Sequence, residues 1–229
     1  MIAAIHQPYL FPNLGYYRLV NLSDIFIFLD DVNFIKRGYS NRNTILLSNN
    51  AFRFTLPVIH ASQNKLFCQH FYVDDATDFL NLLNRAYNEA PFFDAVIPVI
   101  ECVLSDLSIN LAQVNAKSVD QVFRYLGISK KLVFSSSFPK SGQQTGMDRL
   151  IELLRCLGIR DYVNASSGKS LYSKADFSER GVQLRFINGG LCTYRQINEK
   201  FTPNLSIIDI MMWCEKSFII ESLMDFELE

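Results

Sequence analysis

Two hydrophobic rhythms share this chain. The unbroken apolar runs Ile2 to Ile5 and Ile25 to Phe28 are too short for helices and read as strands buried on both faces. The second is closed by Leu29, Asp30 and Asp31. Between the two runs, Pro8 and Pro12 break regular structure, and Gly15 precedes an amphipathic stretch, Tyr16 to Leu22, that predicts a short helix. Residues 43–59 predict a hairpin with Ser48, Asn49 and Asn50 at the turn. From about residue 76 the period becomes helical, with Asp75 or Thr77 as cap. Pro91 interrupts it, a second helix runs through 95–104, and a third over 110–125 ends at Gly127 in the C′ role. A strand at 131–138, a helix at 145–156 ended by Gly158, and strands at 159–165 and 182–188 follow. The apolar tail, 206–226, reads as helical. No Gly/Ser/Pro-rich tract, charge block or repeat divides the chain. The expectation is one α/β domain over 1–229, with a mixed or mostly parallel sheet and a helical insert at about 76–126.

Composition narrows the setting. The 229 residues are 49% hydrophobic, enough to bury a large core without disulfides or metal. Lysine and arginine total 22 against 23 acidic residues, and the pI near 6.3 gives no basic footprint for nucleic acid. Five scattered cysteines without a C-x-x-C pair suggest reduced thiols. No apolar run is long enough for a membrane span, and the N-terminus lacks the charge and apolar length of a signal peptide. The expectation is a cytoplasmic protein without a transmembrane segment, of open oligomeric state.

Four stretches carry candidate chemistry. In "HQPYLFP", His6 stands at the expected C-terminal end of the first strand, where open α/β sheets place ligands. It is either a general base, oriented with help from Gln7 or Tyr9, or a hydrogen-bonding residue that fixes the turn. In "LDDVNFIKRGYSNRN", Asp30 precedes Lys36, Arg37, Asn41 and Arg42, which suit an anion pocket or, equally, a solvated loop or salt-bridge network. "ASSGKSLY" offers amides around Gly168, but Val163 stands where a Walker A motif needs its first glycine. In "YRQINEKFTPNLSIIDIMMW", Tyr194 and Gln196 share one side of an extended segment, and Ser206 or Asn204 caps the helix bearing Asp209. Asp209 in that apolar helix needs a partner, for which the 36–42 cations are reasonable. His60, His70 and Cys68 do not make a zinc spacing, so no metal site is expected. Cys192 and Cys214 read as buried thiols rather than nucleophiles.

Taken in order, "HQPYLFPNLGYY", "IFIFLDDVNFIKRGYSNRN", "RLIELLRCLG", "YVNASSGKSLY" and "FTPNLSIIDIMM" resemble the WbqC-like proteins over about residues 2–213. The resemblance implies a bacterial protein whose relatives' genes sit in clusters for O-antigen, capsule or other surface glycans. It implies a tailoring enzyme that attaches acyl or aminoacyl groups to amino sugars. Family motif positions fall here on His6, Gln7, Pro8, Tyr9, Gly15, Tyr16, Asp30, Lys36, Arg37, Asn41 and Arg42. Later ones fall on Gly168, Tyr194, Gln196, Phe201, Ser206 and Asp209. The chain departs from the pattern at Asn164 to Lys169, at Gly189 to Thr193, and at Trp213 to Glu215, which bears on substrate more than on fold.

Two functions follow from this reading. One is a transferase in which a thioester, acyl-CoA or an acyl carrier protein, donates to the amine of a sugar nucleotide. His6 takes the proton, Lys36, Arg37 and Arg42 hold phosphates, and amides near Gly168 steady the oxyanion. The other is a sugar-nucleotide-binding or scaffolding subunit of a glycan assembly complex, with the same residues and no reaction. A nucleotide-dependent ligase ranks below both.

Overall fold

The structure is a computed structural model that describes residues 1–142, 146–197 and 200–229. Thr145, the expected start of one helix, lies outside them. The main sheet has six strands: β1 (Ile2–His6), β2 (Ile25–Phe28), β5 (Leu132–Phe134), β6 (Asp161–Ala165), β7 (Gln183–Gly189) and β8 (Phe226–Leu228). Their order is β5-β2-β1-β6-β7-β8, all neighbours parallel except β7 and β8. The expected mostly parallel α/β sheet is what the chain forms.

The strands read as apolar runs because both faces are covered. Ala3, Ile5, Ile25 and Ile27 pack on one side with helix α5 (Gly146–Cys156) and Phe177 of α6 (Lys174–Glu179). Ala4, Phe26 and Phe28 face the opposite core, with α1 (Leu14–Leu22) and the residues between β2 and β5. That connection carries a separate hairpin, β3 (Arg42–Leu47) with β4 (Asn50–Thr55), and the helices α2 (Thr77–Tyr87), α3 (Phe93–Leu104) and α4 (Leu111–Tyr125). The hairpin turns at Ser48 and Asn49, both at positive φ (47° and 67°), as a two-residue loop matching the strand twist requires. The N-cap position of α2 falls on Ala76, between the two residues foreseen, and Asp75 accepts from the Thr77 N–H at 2.8 Å from one position before it. Gly127 and Gly158 follow α4 and α5 at positive φ, as expected.

Two expectations need correction. The tail is helical only in α7 (Ile207–Trp213) and α8 (Lys216–Met224), and it ends as β8, antiparallel to β7. The "KLVFSSSF" strand stops at Phe134, where Ser135 to Ser137 turn into a short 3-10 helix and Ser135 and Ser136 meet Asp30 and Asp31.

From β1 the chain moves outward through α1 to β2 and then β5. It returns through α5 to β6 on the other side of β1, and on to β7. Between β1 and β6 the connections therefore leave in opposite directions, and a crevice opens there at the carboxyl ends of the strands.

Candidate functional site

That crevice holds a cavity of about 490 Å³. Its walls are the end of β1 (His6, Tyr9), the start of α1 (Asn13 to Tyr16, with Arg18), and the turn after β6 (Ala165 to Ser167). The end of β7 (Ile187 to Cys192), Tyr194, Phe201, residues 204–207 and Ile210 also line it.

His6 ends β1, and its Nδ1 lies 3.1 Å from the Gln7 carbonyl. A carbonyl only accepts, so Nδ1 carries the proton and Nε2 keeps its lone pair. Nε2 has no hydrogen-bond partner among the described residues. Burial holds the imidazole below its ordinary pKa, against the smaller opposing pull of the Gln7 carbonyl. At neutral pH it is a neutral base. The rings of Tyr9 and Tyr16 meet it edge-on at 4.8 and 5.0 Å. Tyr16 donates its hydroxyl to the Gln7 carbonyl at 2.9 Å, so Gln7 orients both rings through its backbone. The Gln7 side chain is not part of the wall. Burial, and to a lesser degree Tyr39, raise the pKa of Tyr9, which stays a neutral hydroxyl.

The loop from β1 to α1 is held in a costly shape. Phe11 is fully buried at φ 40°, a region non-glycine residues rarely adopt. Its N–H donates to Ser118 Oγ at 3.1 Å. Its carbonyl accepts from Asn43 Nδ2 and Ser206 Oγ, both at 2.7 Å. Asn115 adds a bond to the Pro8 carbonyl at 3.0 Å. The sequence singled out Ser206 as a cap and as a family motif position; a cap it is, accepting from the Ile208 N–H at 3.3 Å. The other clamps carry no sequence signal beyond being polar residues within apolar elements.

Behind the wall lies Asp209, fully buried. Tyr87 donates to its Oδ1 at 2.8 Å; Tyr194 and Gln196 donate to its Oδ2 at 2.7 and 3.1 Å. The expected cationic partners are thus replaced by three neutral donors. Burial raises its pKa, with the three donors opposing. Gln196 also bonds the Thr202 backbone in both directions and so fixes the segment that carries Tyr194 and Phe201. Cys214 is a buried thiol pushed up to about 12 by burial, and Cys192 contacts Ser222 Oγ at 3.2 Å.

The structure separates the charged stretch from this site. Lys36 and Arg37 are exposed, and neither they nor Arg42 reach the cavity wall. Arg42 Nε bonds the Gly38 carbonyl at 2.8 Å, and Asn41 Nδ2 bonds the Leu56 carbonyl at 2.8 Å. Asp30 accepts from the Ser136 N–H at 2.9 Å and the Ser136 hydroxyl at 2.7 Å. Asp31 beside it is clamped by Arg149 at 2.9 Å. The cations of this stretch thus stand away from the cavity, while the carboxylates that precede them are joined to the serines and Arg149. From the same stretch Tyr39 and Asn43 do line the cavity. Gly168 is buried beneath the wall, and a Cβ there would come within 2.6 Å of Asn164 Nδ2. Its neighbours Ala165 to Ser167 are the residues that face the cavity.

Sequence reasoning missed Arg18. The signal was present: a single charge inside the apolar helix "LGYYRLVNL", the same anomaly that drew notice to Asp209. Among the described residues no cluster of His, Cys, Asp or Glu suits a metal ion, and no helix is long and apolar enough to cross a membrane.

A profile of the WbqC-like protein family matches residues 7–220. The chain is also 28% identical over 214 residues to the "Uncharacterized protein Rv1507c" of Mycobacterium tuberculosis, a match covering 91% of each chain. No solved structure matches it.

Proposed function

Since the chain belongs to the WbqC-like protein family, we propose that it is a tailoring transferase of bacterial cell-surface polysaccharide biosynthesis. It passes an acyl or aminoacyl group from a thioester donor, acyl-CoA or an acyl carrier protein, to the amine of an amino-sugar nucleotide. The observation that carries this reading is His6: a neutral imidazole with its Nε2 lone pair unused, at the crevice where an α/β sheet binds ligands. In the step, the amine nitrogen bonds the thioester carbonyl carbon while His6 Nε2 takes the amine proton. Collapse of the tetrahedral intermediate breaks the C–S bond, and the imidazolium returns the proton to the departing thiolate. Tyr9 and Tyr16 keep the imidazole in place and screen it from water, and the turn at Ala165 to Ser167 is the backbone available to the oxyanion. A thioester is already activated, so positioning and one base supply the acceleration.

The test is the mass of the surface-glycan repeat unit from a strain lacking the protein, complemented with the wild type or with His6→Ala. Loss of an acyl or aminoacyl mass from an otherwise complete repeat, restored by the wild type alone, is the expected result. Loss of the whole polymer assigns the protein to assembly instead, and an unchanged repeat overturns the reading.

A further inference from the structure

We infer that the cavity recognises an oxyanion of its ligand, a phosphate or a carboxylate, through Arg18. Arg18 is 4% exposed, so its charge is held away from bulk water. A guanidinium has five N–H donors. Here Nε bonds the Ser222 carbonyl at 2.8 Å, Nη1 the Gly190 carbonyl at 2.8 Å, and Nη2 Asp225 Oδ2 at 3.2 Å. One N–H on each of Nη1 and Nη2 is left without a partner among the described residues. Among the described residues the one carboxylate paired with it, Asp225, has a side chain 62% exposed, so solvent weakens the pair.

The surroundings sharpen the imbalance. Of the residues lining the cavity, Arg18 is the one with a permanent charge; no aspartate, glutamate or lysine faces it among the described residues. Desolvated positive charge in a wall of tyrosines, serines and asparagines is costly unless an anion completes it. Arg18 stands one turn beyond Leu14 on α1, and Leu14, Gly15 and Tyr16 line the same cavity. The helix start adds to the site that Arg18 defines.

Gly189 shows that the placement is built. A Cβ at Gly189 would collide with Arg18 Nη1 and come within 3.0 Å of its Cδ, so the end of β7 lies directly against the guanidinium. An alanine there would move the charge without removing it.

The inference rests on the cavity being the ligand site of the proposed transferase, and it is independent of His6. Isothermal titration of the purified full chain with pyrophosphate, uridine diphosphate and glucuronate distinguishes the two sources of the oxyanion. Binding of the first two marks a phosphate site; binding of glucuronate alone marks a carboxylate site. Arg18→Met and Gly189→Ala should each weaken the bound probe about ten- to a hundredfold, the scale of a lost charge-assisted bond. Asp225→Asn, which removes the competing carboxylate from an exposed position, should tighten it by about two- to fivefold. A guanidinium serving only to tie α1 to α8 and β7 would not produce that gain. Should Arg18→Met fail to fold in a thermal melt, the Asp225→Asn gain decides. Absence of binding by the wild type, or wild-type affinity in the Gly189 and Asp225 variants, overturns the inference. An unmodified glycan dependence in the His6→Ala strain would instead defeat the transferase reading and leave these titrations standing.

Discussion

The carboxyl ends of β1 and β2 lie side by side, both crowded with polar groups, yet they differ in what is left over. At the end of β2, Asp30 and Asp31 meet Ser135, Ser136, Lys140 and Arg149, and Arg149 in turn pairs with Glu152. There two cations and the serine groups between them engage all three carboxylates. At the end of β1, His6 Nε2 and two N–H groups of Arg18 have no partner among the described residues. Charge density marks the first region and unused bonding capacity the second. For a ligand, the second is what counts.

Four variants press on this contrast. His6→Ala should reduce transfer about 10²–10⁴-fold, the usual share of a general base, read as loss of the modified glycan repeat. Full modification would place β1 with β2 as a structural end. Arg149→Met should cost about 3–5 kcal/mol of stability in urea unfolding, because it strands the buried Asp31 carboxylate. A loss under about 1 kcal/mol would mean that the β2 network is not closed after all.

Asp209 lies between these cases, a buried carboxylate with neutral partners. Asp209→Asn should cost about 1–3 kcal/mol through misdirected tyrosine hydroxyls. Burial raises its folded pKa above the ordinary carboxylate value of about 3.9, so folding favours the protonated form. Its contribution is therefore complete below about pH 4 and is lost as pH rises through the folded value. Urea midpoints of the wild type relative to Asp209→Asn should accordingly fall with rising pH; a rise would reverse the assignment. The smallest effect belongs to Lys36→Ala with Arg37→Ala. Exposed and outside the wall, the pair should change stability by no more than about 0.5 kcal/mol and leave pyrophosphate titration unaltered.

The sheet was legible because doubly covered strands must be apolar throughout, as Ala3 to Ile5 and Ile25 to Phe28 are. β8 was not, since two of its three residues are exposed and its place depends on pairing with β7. Local chemistry put His6 at a strand end and the cap at Ser206. Partners were another matter: Tyr87 meets Asp209 across 122 positions, and Ser135 meets Asp30 across 105. Pairings at such range follow from strand order, which no local pattern encodes. The 36–42 cations drew attention by number, whereas Arg18, alone in its helix, is buried at the cavity wall.

Phe11 also sets the order in which the molecule can become competent. Its left-handed backbone costs about 1–3 kcal/mol on its own. The donors and acceptor that offset this come from 32, 107 and 195 positions away. A growing polypeptide therefore displays the His6 turn in working form only after the hairpin, α4 and Ser206 have emerged and docked. The His6 turn is made early and set late, and a protein truncated before Ser206 carries the reactive histidine without the loop that aims it.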